Sequence, residues 1–288
     1  MNTRRTLLAA ALVAILFPAA DAAEKTYLLR YKFSPGETIR WRVVHRSNVR
    51  TTVAGTTQRA ESVSESDKVW RVEQVMPDGS ARFVYSVDDV QMQQRLSGRD
   101  ELRYDSNTDE KPPVGFENVA QSIGRPLSVV TLSSRGEVIK RERKHKATTV
   151  EDQQNDITIP LPEEAVPVGH RWSTPNEVSV KLDTGGVKQI DTMQTFRLES
   201  VKTGVATISV RTTVLTPIDD PAIEAQLTQC AAKGQVRLDI DAGRILSQQL
   251  DTDKHVVGFR GEASSLHYQT RFTERLIEDD AVRTARRG

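Results

Sequence analysis

The chain has 288 residues, 37% of them hydrophobic and 27% charged, enough apolar content for one large β domain or two of about 120–130 residues each. Forty Lys and Arg stand against 39 Asp and Glu, so the basic excess of a nucleic-acid binder is absent. Past the N-terminus no apolar run approaches the roughly 20 residues that cross a bilayer as a helix, and the single cysteine, Cys230, excludes an intrachain disulfide and a Cys-rich structural metal site.

The N-terminus has the parts of an export leader. Arg4 and Arg5 give a positive start, residues 7–17 (LLAAALVAILF) an apolar stretch too short to span, and Pro18 a helix break. Ala20-Asp21-Ala22 offers a small-x-small site, which places a signal peptide at 1–22 with cleavage after Ala22 or Ala23. No cysteine sits there to carry a lipid. Thr3-Arg4-Arg5-Thr6-Leu7-Leu8 also has the shape of a twin-arginine signal, but paired arginines are common in such leaders, so the general secretory route is preferred. The expected location is periplasmic or extracellular. Removing 1–22 takes Arg4, Arg5 and Asp21 and leaves 38 basic and 38 acidic residues.

Residues 26–33 (TYLLRYKF) alternate loosely and end at the turn Ser34-Pro35-Gly36. Residues 38–46 place Ile39, Trp41 and Val43 on one face and Arg40 and Arg42 on the other, the period of a half-buried strand. Gly55 marks a reversal, residues 69–72 (VWRV) read as strand, and Pro77-Asp78-Gly79 is a hairpin turn leading to the β-rich run 81–92. Residues 93–113 are polar, hold one small apolar patch at Leu102 and Tyr104, and end in two prolines; they read as an exposed insertion. Phe116, Val119, Ala120 and Ile123 then recur at helical spacing before Gly124 and Pro126. A hairpin follows, 127–132 and 137–141 about Ser133-Ser134-Arg135-Gly136. The basic run 140–149 and polar 151–156 read as a connection.

The second half replays the first. Gly169-His170-Arg171-Trp172 stands as Gly36 and Arg40-Trp41 do, Gly185-Gly186 turns where Gly55 turned, and two strands flank Lys202-Thr203-Gly204. Phe116, Ala120, Ile123 and Gly136 match Ile223, Leu227, Cys230 and Gly243 at one offset of 107, whereas Gly55 matches Gly185 at 130. The insertion 93–113, present only in the first half, accounts for the change. Two copies are too few for a solenoid, so they form either two similar domains or one shared core. Leu266, Tyr268, Phe272 and Leu276 share a face of a last strand, and 278–288 is a polar tail.

Tests for chemistry come back negative. Asp239, Asp241 and Gly243 open a D-x-D-x-G calcium pattern, but Gly243 and Leu250 stand where the loop needs a donor and a Glu; the matching turn at 132–136 has no acids, so these acids belong to a hairpin. His45, His145, His170, His255 and His267 show no metal-ligand spacing. No G-x-S-x-G, P-loop or G-x-G-x-x-G occurs, and Cys230 falls on an apolar helix face as an inert thiol. Trp41 and Trp172, in matching places just after a turn, either fill the core or line an apolar pocket. They are the candidates for ligand contact; no catalytic, cofactor or metal residue is proposed.

The leader, the opening LRYKFSPGET at 29–38 and the paired helix-plus-hairpin units resemble a group of exported bacterial β-rich proteins of unknown function. More distantly the chain resembles periplasmic lipoprotein carriers, a resemblance that implies a curved antiparallel sheet wrapping short helices and holding an acyl chain. No binding residue carries over. The expected fold is mainly β (α+β): two antiparallel β units at 24–146 and 161–277, each with one short helix followed by a hairpin, joined by a linker at 147–160. The expected role is a non-catalytic structural or protein-interaction component of the envelope, with no cofactor and no nucleic acid, and an unknown envelope protein as partner. The alternative is a binding module or carrier for an apolar or amphipathic, lipid-like ligand.

Overall fold

The computed structural model describes residues 24–144, 158–182 and 185–277. The leader, the stretch 145–157 that holds most of the expected linker, and the tail 278–288 lie outside the described residues.

Alternation of β-branched and polar residues, broken by Gly turns, dictates strands nearly everywhere. In the first half these are β1 (Thr26–Tyr27), β2 (Thr38–Val53), β3 (Thr56–Val75), β4 (Ala81–Leu96), β5 (Leu102–Asp105), β6 (Pro126–Leu132) and β7 (Val138–Arg143), with α1 (Glu117–Ser122) before the last hairpin. The second half gives β8 (Val166–Pro167), β9 (Arg171–Lys181), β10 (Val187–Lys202), β11 (Val205–Val214), α2 (Pro221–Gln226), a 3-10 turn (Thr228–Cys230), β12 (Lys233–Asp239), β13 (Arg244–Val257) and β14 (Ser265–Leu276). Asp220 caps α2 by accepting from the Ala222 amide, and Pro221 takes its first position.

The protein is mainly β, as expected, and its long strands join in one twelve-stranded antiparallel sheet. The order is β7-β6-β4-β3-β2-β14-β13-β12-β11-β10-β9, with β5 beside β4. The two halves meet where β14 pairs β2, from Ser265 opposite Thr52 to Leu276 opposite Trp41.

Four local readings change. The strand expected at 38–46 runs on to Val53, and that at 69–72 spans Thr56–Val75. Part of the segment expected as an exposed insertion is sheet: β4 continues to Leu96 and β5 returns to pair Gln91–Gln94, while 97–100 and 107–111 are exposed. Its apolar patch explains this, since Tyr104 is buried and meets Phe116 at the start of α1, ring centroids 6.5 Å apart. Residues 26–33 are strand only at Thr26–Tyr27, which pair with β8. Beyond Tyr27 they form a strap that sends Leu29 and Tyr31 into the core.

That strap shows that the sheet curls. The Tyr31 and Lys32 amides, adjacent in the chain, donate to Ser134 O (2.8 Å) and Gly243 O (3.0 Å). Ser134 lies in the β6–β7 turn and Gly243 in the β12–β13 turn, five strand spacings apart in the sheet order. A flat sheet would separate them by about 24 Å. Residues 158–167 form a second strap beside the first, with Ile159, Leu161 and Val166 buried. Arg30 ties the two together by donating to Pro162 O (2.7 Å) and Glu163 O.

The two straps and the β10–β13 face make the largest core, centred on Phe196, Leu198, Ile208 and Leu238. A second core under β2, β3, β4 and β6 holds Trp41, Trp70, Phe83 and Leu132, and Phe33 of the first strap packs against both. A third places Ile223 and Leu227 against Val180 and Ile190. Burying a Phe or Leu is worth about 1.5–3 kcal/mol, so the straps fix the curl by filling it.

Candidate functional site

Trp41 and Trp172 occupy comparable places, one residue after an Arg at the start of a long strand, yet their surroundings differ. Trp41 pairs with Lys68 on β3 and with Leu276 on β14. Its indole Nε1 donates to Ile245 O at 2.9 Å. Lys68 reaches back over the rings of Trp41 and Trp70, its Nζ 4.7 and 5.1 Å from their centroids. The same ammonium ion-pairs with Glu274, which is 2% exposed and accepts from Gln248 Nε2 at 2.8 Å through its other oxygen. What remains between these groups is a cavity of about 10 Å³, room for at most one water. Trp41 is therefore a core residue.

Trp172 opens onto a groove instead. It pairs with Phe196 on β10, while on its other side the sheet ends, because β9 is the last strand among the described residues. Its ring stacks on Phe196 at 5.6 Å and under His170 at 6.4 Å, a ladder from a fully buried ring to an exposed imidazole. Its Nε1 donates to Pro160 O of the second strap at 2.8 Å, which fixes the indole before any ligand arrives. The groove between strap and strand measures about 370 Å³, with Pro160, Leu161, Val166 and Trp172 as apolar lining and Arg135, Glu137, Glu163, Glu164 and His170 at the rim. That volume lies in the range of ordinary ligand sites. Arg135 is engaged by Glu137 at 3.3 Å and Glu163 at 3.7 Å. Burial and the nearby Arg135 push the Arg30 guanidinium down from its ordinary value.

The edges of the sheet are guarded. Lys181, at the end of β9, has its N–H bonded to Gln226 Oε1 (3.2 Å) and its C=O to Gln226 Nε2 (2.8 Å). One side-chain amide thus occupies the place of a neighbouring strand. Pro175, mid-strand, lacks an N–H on the same outward side. The opposite edge, β7, is six residues long and carries Lys140, Arg141 and Arg143, the charged, short form that resists pairing.

The remaining residues singled out from sequence lie elsewhere. Asp239 Oδ1 accepts from the Asp241 and Ala242 amides at 2.9 and 2.8 Å, so it shapes the hairpin turn. His45 is half-buried on the face that carries Trp41 and Val43. His255 and His267 meet across β13–β14 with centroids 5.7 Å apart, and His267 bonds Asp253 at 2.8 Å. Among the described residues no group of three His, Cys, Asp or Glu is placed to hold a metal; His145 lies outside them. Cys230 packs against the third core, and burial pushes its thiol up. Sequence reasoning passed over Lys68, Glu274 and the strap 158–167. The signal for the first two was available: each is a charge in phase with aromatic or apolar neighbours, Lys68 with Trp70 and Glu274 with Phe272 and Leu276.

No protein-family model and no curated protein matches the chain. Among solved structures it is similar to one described as lipid–protein interactions in lipovitellin, at 13% identity and a TM-score of 0.45. The likeness covers 86% of this chain and 26% of that one, so the chain spans about a quarter of its length.

Proposed function

We propose that this protein is a non-catalytic interaction component of the cell envelope, exported by its leader and working through the groove beside Trp172. The observation that carries the reading is the contrast between the two tryptophans: the room beside Trp41 is filled by the chain itself, that beside Trp172 stays open at about 370 Å³. The indole is already oriented by Pro160, so binding orders little that is not ordered beforehand. The acids at the rim are exposed, and Glu137 and Glu163 are paired with Arg135, which suits recognition better than proton transfer.

We also read the chain as a duplication. The succession β2-β3-β4-α1-β6-β7 recurs as β9-β10-β11-α2-β12-β13, and both run in the same sense across the sheet. On this reading the two tryptophan sites are copies, and the groove is the copy that the sheet's end left uncovered.

A second reading, an amphipathic ligand in the same groove, is favoured by its apolar lining and charged rim. Native mass spectrometry of the protein from its own envelope fraction tests both, with Thr174→Arg, whose side chain would fill the groove, as comparison. A bound protein or small molecule on the wild type, lost from the variant, is expected. A protein supports the first reading and a lipid-like mass the second; a wild type that carries neither would sink both.

A further inference from the structure

On the reading that this groove is a binding site, the geometry points to its occupant: an extended segment of a partner protein, paired with the main chain of Arg171 and Ser173, with an apolar side chain beside Trp172 and a Lys or Arg among the rim carboxylates.

The first reason is what stands in the corresponding place at Trp41. There the neighbour is an extended strand: Leu276 lies opposite Trp41, and the Ile277 amide donates to Arg40 O at 2.9 Å. Arg171-Trp172 repeats Arg40-Trp41 at the start of β9, where among the described residues the sheet offers no next strand.

The second reason is which main-chain groups of β9 are free. In an antiparallel pair, alternate residues turn their N–H and C=O to opposite sides. Lys181 turns both away from β10, to Gln226, so Ser179, Glu177, Pro175, Ser173 and Arg171 face the same way. Gln226 closes this edge at one end and Pro175 interrupts it in the middle. Among the described residues the stretch left open beside an apolar surface is Arg171–Ser173. Trp172 and Thr174 from one face and Ser173 between them all line the groove, which places it along the strand's edge. Strand addition of this kind takes its affinity from main-chain hydrogen bonds and its selectivity from alternate side chains.

The third reason is charge. Three carboxylates at the rim, Glu137, Glu163 and Glu164, stand against two arginines: Arg135, shared between Glu137 and Glu163, and Arg30, which lies beside Glu163. A basic side chain on the segment would complement the excess.

The test is to pan a random heptapeptide display library on the full chain and follow the hits by Trp fluorescence. Trp172 is the half-exposed indole, whereas Trp41 and Trp70 are 3% and 2% exposed. Hits that alternate apolar residues and carry Lys or Arg are expected. Methylating alternate peptide amides should weaken binding at least tenfold, and so should Ser173→Pro, which removes one of the two N–H groups, those of Arg171 and Ser173, offered to the segment and leaves the β10 pairing intact. The methylated peptides probe the wild-type chain, so the outcome does not depend on the variant's folding. No enriched peptide, or hits indifferent to methylation, would overturn the inference. It would leave the groove itself standing if Thr174→Arg still released a lipid-like mass. A concentration-dependent dimer abolished by Ser173→Pro would also overturn it, assigning the edge to a second copy of the chain.

Discussion

Ser134 and Gly243, on hairpin turns five strands apart, accept hydrogen bonds from the consecutive amides of Tyr31 and Lys32. The curl of the sheet, the burial of the strap and the position of both tryptophan sites depend on that meeting. It requires two glycines. A Cβ on Gly136 would lie 2.5 Å from Ile159 O, and one on Gly243 would lie 2.5 Å from Lys32 N. Both residues have positive φ.

Gly243→Ala should therefore lower stability by about 3 kcal/mol or more, the left-handed conformation and the overlap with the strap adding together. Gly55→Ala is the control. It has positive φ as well, but a Cβ there meets nothing within 4 Å, so about 1 kcal/mol is expected. Urea unfolding of both variants checks the difference; equal losses would mean that the strap contact contributes nothing.

Lys68 and Glu274 join β3 to β14 across β2, and hence the first half of the chain to the second. Lys68→Met leaves Glu274 buried without its counter-charge and should cost about 3–5 kcal/mol. The double variant Lys68→Met/Glu274→Leu should recover most of that, because the remaining room is already apolar. A double-mutant cycle in urea measures the coupling, and simple additivity of the two losses would refute it.

Burial raises the Tyr31 phenol, whose O–H donates to Ile159 O, above its ordinary value. The folded state thus holds this proton more tightly than the unfolded one. The associated stability is complete below the ordinary tyrosine pKa of about 10 and is lost as pH rises beyond it. Unfolding monitored against pH should show a loss above about pH 10 that Tyr31→Phe removes. Tyrosine absorbance should register the last phenol only as the chain unfolds.

Beyond Ser173 the β9 edge is predicted to stay unpaired because of Pro175 and Gln226. Replacing both, as Pro175→Val/Gln226→Ala, restores an N–H and frees the Lys181 main chain. Light scattering during gel filtration should then show association that the wild type lacks. A variant that remains as monomeric as the wild type would show that the edge is guarded by something else.

How far the fold could be read from sequence depended on where the apolar alternation was strong. The strands around Trp41, Phe196 and Leu238 announce themselves because one face is buried and the other wet. The extension of β3 back to Thr56 does not, since its outer residues are polar on both faces and are held by cross-strand contacts such as Ser47–Ser62 and Arg42–Glu65. Tyr104 looked like a lone apolar patch in a polar insertion, because its partner Phe116 lies twelve residues on, in another element. Trp172 was legible as a candidate only through its likeness to Trp41.

The sequence by itself determines that this is a mainly β chain with Gly-marked hairpins, matched segments in its two halves and no recognisable catalytic motif. Periodicity and turn chemistry are local and need no neighbours to be seen. Only the tertiary structure decides that two like tryptophans have unlike fates. Trp41 lies inside the sheet, where β14 pairs beside it, and Trp172 lies at the end, where no strand follows among the described residues. Strand order is set by which faces can be buried together across the whole chain, and no local pattern contains that information.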